Sequence, residues 1–313
     1  MVTLLALLAC SDSDFGLNEV PPQSATPHDT AVLQDEPAVD TADTAEEEEE
    51  VAEEPAEEPG DTAVPEEEIE DPAPADDCTD TDDLVYVLAR GDSRLYTFDP
   101  DKLSFTSLGV VDCGTSQTPG SMGVSRDGLA YIRYADNALY ELDLATMKCS
   151  TTSYSDRRTG FDSFGMGYAT DSADTWRDQL YVANARTLGI LDPSTGSITT
   201  LGRMPSQSEL TGNADGELWA ILPLESPAEL MQLDLTTGAE LDTIEMRSFP
   251  DPGNIDTFAF ATWSGDFYIF VREYGMGSST DVYQVTRAGR MTKVLTNVGF
   301  DVVGAGVSTC APA

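Results

Sequence analysis

Four carboxylates recur at a near-constant interval. Asp162, Glu209, Asp256 and Asp301 are separated by 47, 47 and 45 residues, and each stands three residues before a small residue: Gly165, Gly212, Ala259 and Gly304. Two of them share a Gly-Phe-Asp sequence, Gly160-Phe161-Asp162 and Gly299-Phe300-Asp301; the corresponding place before Gly123 is Gly120. Carboxylates brought around one opening repel each other, so they must be hydrated, partly protonated or neutralised by a cation. An oxygen-only ligand set suits Ca²⁺, which makes these four candidate metal ligands. Two other chemistries use the same residues. They can be solvated acids that cap turns on a rim, or a general acid paired with a base or nucleophile at a glycosidic bond, for which Asp162, Glu209 and Asp301 are the candidates. Recurrence as a repeat feature argues against catalysis, which needs a singular constellation.

The interval belongs to a longer repeat. An apolar residue, a second residue, two more and then Asp recur as Leu95-Tyr96-Thr97-Phe98-Asp99, Leu139-Tyr140-Glu141-Leu142-Asp143, Leu188-Gly189-Ile190-Leu191-Asp192 and Leu230-Met231-Gln232-Leu233-Asp234. A weaker copy is Val282-Tyr283-Gln284-Val285-Thr286, and the spacings are 44, 49, 42 and 52 residues. That is the length of one four-stranded propeller blade. Asp-Gly turns, as in Arg126-Asp127-Gly128, separate short apolar runs and signal hairpins. The strand after this turn carries an aromatic in every unit: Tyr86, Tyr131, Tyr181, Trp219 and Tyr268. Packing between blades is the expected role. The first unit lacks its leading strand, while Val302–Val307 is left over at the C-terminus. The expected fold is therefore all-β, a five-bladed β-propeller over 84–313 closed by a C-terminal strand, which removes two sheet edges. A pair of sandwiched sheets is the rival, and it leaves the period unexplained.

Cysteine and histidine usage narrows the chemistry. His28 is the sole histidine and lies in low-complexity sequence, which removes Ser-His-Asp and Cys-His catalysis from the folded part. No Cys-x-x-Cys occurs among Cys10, Cys78, Cys113, Cys149 and Cys310. Four cysteines remain after Cys10, enough for two bridges in an oxidising compartment. Ring closure brings Cys78 and Cys310 together just outside the closing blade, and Cys113–Cys149 follows by exclusion, although the strand layout puts those two toward opposite faces.

Charge divides the chain. Residues 1–83 hold 28 Asp+Glu and no Lys or Arg; the remainder holds 29 acids and all 16 bases. A net charge of −41 leaves no cationic surface for nucleic acid. Residues 10–83, with repeated Asp-Thr-Ala and the run Glu46–Glu50, read as a disordered linker that cannot bury enough apolar area to fold. It serves as a solvated spacer, with a Ca²⁺-collecting or partner-binding tail as the alternative.

Residues 1–9 are apolar and lead to Leu7-Leu8-Ala9-Cys10. This resembles the lipobox of bacterial lipoprotein signal peptides, in which cleavage before the cysteine lets its thiol carry diacylglycerol. The basic segment that usually precedes the apolar run is missing; a plain secretory signal or a buried N-terminal strand is the alternative. No apolar run is long enough for a membrane-spanning helix. As a whole the chain resembles lipoproteins of predatory and soil-dwelling, myxobacterial-type deltaproteobacteria, which place an acidic Asp-Thr spacer before a propeller. The resemblance implies a cell-envelope location, lipid-anchored through Cys10 and facing the periplasm or the exterior. It brings no chemistry with it. The expected role is a monomeric, non-enzymatic module binding an envelope or extracellular protein or glycan, with Ca²⁺ at the channel mouth; a carbohydrate-active hydrolase is the alternative.

Overall fold

A computed structural model describes residues 84–171, 177–275, 277 and 279–313. Cys10, Cys78 and the acidic linker lie outside the described residues. The chain opens with β1 (Val85–Ala89), β2 (Arg94–Asp99) and β3 (Ser104–Val110). The second blade is β4 (Pro119–Val124), β5 (Leu129–Tyr134), β6 (Leu139–Asp143) and β7 (Lys148–Thr151), and the third is β8 (Gly165–Thr170), β9 (Asp178–Ala183), β10 (Thr187–Asp192) and β11 (Ser197–Arg203). The fourth is β12 (Glu209–Gly212), β13 (Leu218–Leu222), β14 (Ala228–Leu233) and β15 (Glu240–Met246); the fifth is β16 (Ile255–Trp263), β17 (Asp266–Glu273), β18 (Asp281–Val285) and β19 (Met291–Leu295). The last strand, β20 (Val302–Gly306), pairs antiparallel with β1 and completes the first blade in the order β20-β1-β2-β3. The innermost strands neighbour one another in the cycle β4, β8, β12, β16, β20 and back to β4. The protein is a five-bladed β-propeller closed by its C-terminal strand, with almost no helix among the described residues.

Local chemistry accounts for the repeat. The aspartate that ends each third strand bonds the backbone of the turn that follows. Asp99 accepts from the Lys102 amide at 3.0 Å, Asp143 from Thr146 at 2.8 Å and Asp234 from Thr237 at 2.7 Å. Hydroxyl donors Thr237 and Thr236 help to pull Asp234 down to about 2. Thr286 does the same job in the fifth unit, its hydroxyl accepting from the Arg290 amide at 3.2 Å. Such side-chain turns compete well with extended structure and stop a strand at a fixed residue. The hairpin glycines Gly128, Gly216 and Gly265 all have φ near +76°, a region that residues with a Cβ rarely adopt.

All five second-strand aromatics are buried and fill the seams between blades. Trp219 packs on Phe267 of the next blade with ring centroids 4.9 Å apart, and Phe98 packs on Tyr268 at 5.5 Å.

Cys113 and Cys149 are disulfide-bonded, with Cα atoms 5.0 Å apart. The expectation of opposite faces fails because the chain leaving β3 passes the outer strand of the next blade: Val111 and Cys113 pack with Leu142, Met147 and Cys149. The bridge closes a loop of 36 residues. In a chain-entropy description its loss costs about 4 kcal/mol, so Cys113→Ser with Cys149→Ser should lower the urea midpoint and steepen the slope, because the unlinked unfolded chain exposes more surface. Cys310 is also disulfide-bonded; Cys78, its expected partner, lies outside the described residues.

The C-terminal residues beyond β20 close one end of the axis. Ser308 and Thr309 are fully buried. Thr309 donates its hydroxyl to Asp178 at 2.6 Å and accepts from Arg126 at 3.2 Å, while Arg126 bonds Asp178 at 2.5 Å and the Thr170 hydroxyl at 3.0 Å. Asp178 belongs to the third blade, which does not adjoin the first. The carbonyl of Pro312 accepts from the Ser264 amide of the fifth blade at 2.6 Å. The tail therefore crosses the axis and leaves the opposite end as the mouth.

Candidate functional site

The mouth surrounds the starts of the innermost strands. Small residues let these strands approach one another: a Cβ on Gly167 would lie 2.5 Å from the Leu210 carbonyl oxygen, and one on Gly304 would lie 3.0 Å from the Met122 amide. A cavity of about 470 Å³ opens there, and Arg90, Arg133, Glu209 and Asp256 contribute to its wall.

The predicted acids do not form one ring. Pairing with the second strand fixes the level of each residue. Gly167, Thr211, Ala261, Gly306 and Gly123 all sit opposite the second-strand aromatic of their own blade. Glu209, two residues before Thr211, is thus level with Ser121, Gly165, Ala259 and Gly304. Asp162, Asp256 and Asp301 lie three residues further toward solvent. The sequence alignment erred in the fourth blade, where the residue level with Gly165, Ala259 and Gly304 is Glu209 itself, three residues before the Gly212 it anchored on, and in the second, where that residue is Ser121 and not Gly123. Depth separates the acids accordingly: Asp162 is exposed, whereas Glu209 is 6% exposed.

Glu209 is the one large polar residue in a layer of small ones. Its side chain lies over Gly165, where an added Cβ would stand 2.9 Å from the carboxyl carbon. It reaches Ser121 two blades away, whose hydroxyl donates to it at 2.7 Å. Burial pushes this carboxyl up to about 8, against the pull of the Ser121 hydroxyl, the Arg133 charge and the Met166 amide. Near neutral pH it is largely protonated.

Asp256 and Asp301 are brought together, but by arginines. Arg90 Nη2 bonds Asp256 at 2.6 Å and Asp301 at 3.4 Å; Arg272 pairs with Asp256 and, through Nε, with Asp301 at 3.0 Å. The hydrogen bond from Arg90 leads the forces that hold Asp256 below its ordinary value. These pairs stitch blade five to blade one across the closing seam. The arginines supply counter-charge to these two carboxylates. Among the described residues no three Asp, Glu, His or Cys side chains are gathered so as to hold a metal ion. Sequence reasoning missed Arg90 and Arg272, although a signal existed: each stands four residues after its blade's aromatic, Tyr86 or Tyr268. Replacing Arg272 by Met should cost about 2 kcal/mol, since it strips two half-buried carboxylates of a partner. Adding Asp256→Asn should recover part of that loss, which a denaturation-based double-mutant cycle will measure.

Arg133, on β5 opposite Ser121, completes the wall. It is 8% exposed; Nε donates to the Phe164 carbonyl at 2.8 Å and Nη1 to the Tyr134 carbonyl at 3.3 Å. Its guanidinium sits where a side chain on Gly120 would fall, and burial pulls it below its ordinary value.

No family model matches the chain, and no curated protein matches it. Among solved structures it is similar to a protein of unknown function from Bacteroides caccae, at 10% identity over 72% of this chain and 98% of that one, with a TM-score of 0.42. It is also similar to hydrazine synthase of Kuenenia stuttgartiensis, at 13% identity over 65% of this chain and 61% of that one, with a TM-score of 0.35.

Proposed function

We propose that this propeller is a lipid-anchored, extracytoplasmic binding module that engages its partner at the axial mouth. The observation that carries the reading is the cavity of about 470 Å³ at the one end of the axis that the C-terminal tail leaves uncovered. Pockets of this size, with convergent polar groups, suit small polar ligands or the tip of a larger one. The acidic linker fits a spacer that holds the mouth away from a membrane surface. Lipidation at Cys10 predicts that labelled palmitate enters the chain in a bacterial host and that Cys10→Ser abolishes it; label retained in that variant sinks the anchor. For the mouth, immobilised chain should retain a component of envelope extract, and Gly120→Asp should release it while changes on the outer strands do not. Equal retention by both would move the site elsewhere.

A hydrolase remains the second reading, favoured by one observation. Glu209 and Asp256 line the same cavity with oppositely shifted carboxyls, one held protonated and one held ionised, as acid and base partners are. Against it, Asp256 is bound by two arginines. Turnover of any member of a polysaccharide panel, lost in Glu209→Gln, would replace the binding reading.

A further inference from the structure

Three arginines gather at the mouth, and they are not equivalent. Arg90 and Arg272 share Asp256 and Asp301. Among the described residues no carboxylate forms an ion pair with Arg133, and its Nη2 has no hydrogen-bond partner. The two acids nearest in charge are poor partners: Glu209 is turned to Ser121, and Asp162 is exposed. A cation that is nine-tenths buried without a counter-ion is costly, and this one borders an open cavity. Besides the charged groups, the wall holds hydroxyls and amides of Thr118, Asn137, Ser163, Gln207 and Thr257, and apolar surface that includes Phe258 and Val303.

We infer that the mouth takes a small hydroxylated carboxylate of sugar-acid size, its carboxylate on Arg133 Nη2 and its hydroxyls on the surrounding polar side chains. Guanidinium and carboxylate make strong charge-assisted bonds, and Phe258 adds apolar surface to the wall beside them. Protonated Glu209 adds no competing negative charge beside Arg133 at neutral pH. The inference rests on the binding-module reading and specifies its ligand.

Calorimetric titration of the full chain with D-glucuronate, D-glucose and acetate tests it. Glucuronate should bind, acetate should compete weakly, and glucose should give no heat. Arg133→Met should weaken glucuronate about 10- to 100-fold, the worth of a charged hydrogen bond. If that variant does not fold, Gly120→Asp is the second test. It places a carboxylate beside the guanidinium, as the space at Gly120 allows only by meeting Arg133 Nη2, and it should abolish binding in a folded protein. Glucose binding as well as glucuronate, or glucuronate surviving Gly120→Asp, overturns the anion site and leaves a mouth that binds neutral ligands. Silence from all three probes also overturns it, and retention of an envelope component in the extract experiment then tells whether the binding-module reading falls with it.

Discussion

Gly165→Val is expected to lower stability by about 4 kcal/mol, near the upper end of what single core changes do. The inner strand β8 runs against β12 so closely that a Cβ at 165 would meet the Ser208 carbonyl oxygen and the Glu209 backbone. Neither neighbour is a side-chain tip that can swing aside; both are backbone, Glu209 in the β12–β13 ladder and Ser208 the residue that leads into it. The larger side chain would also evict the Glu209 carboxyl from its path to Ser121, stranding a buried polar group. Thermal and urea unfolding will read the loss. A valine variant within about 1 kcal/mol of wild type would mean that the innermost strands are not in contact as described.

The second large effect is a pH dependence carried by Glu209. An unfolded glutamate ionises near pH 4.3, whereas this one is pushed up to about 8 in the folded protein, chiefly by burial. Between those values the unfolded chain has released the proton and the native chain still holds it. Stability therefore falls as pH rises through this window, by up to about 1.4 kcal/mol per pH unit, and the loss is complete above the folded value. The groups facing the carboxyl are the Ser121 hydroxyl, the Met166 amide and the Arg133 charge; none of them titrates in this range. Glu209→Gln keeps an acceptor for Ser121 and removes the titration. From about pH 5 to about pH 7.5 the wild type should lose roughly 3 kcal/mol relative to the glutamine variant in parallel urea titrations. Parallel stability curves for the two proteins would show that this carboxyl is not buried at the axis.

Those two residues also show what sequence could and could not deliver. Blade count and closure were legible because backbone-bonding aspartates, Asp99, Asp143, Asp192 and Asp234, end equivalent strands, and because Val302–Gly306 has no blade of its own at the C-terminus. The turn chemistry is local, so it writes itself into spacing. The mouth is not local. Arg90 meets Asp256 across 166 residues and Ser121 meets Glu209 across 88, and no short-range pattern reports such pairs. The level of Glu209 was misjudged for a related reason: Glu209 itself takes the inner-strand place that Gly165, Ala259 and Gly304 fill in their blades, so an alignment on small residues ran on to Gly212 and slipped by three. Carboxylates counted along a chain suggest a bare anionic ring; the fold interleaves them with arginines and buries one of them neutral.

All of this depends on the wheel being closed by β20. Hydrogen exchange read by mass spectrometry tests that directly. The amides of Val302–Gly306 should exchange as slowly as those of the other innermost strands, Pro119–Val124 and Gly165–Thr170 among them, and removing residues 302–313 should make Val85–Ala89 exchange fast. Rapid exchange of 302–306 in the intact chain, with the other inner strands still protected, would contradict closure and with it the axial mouth.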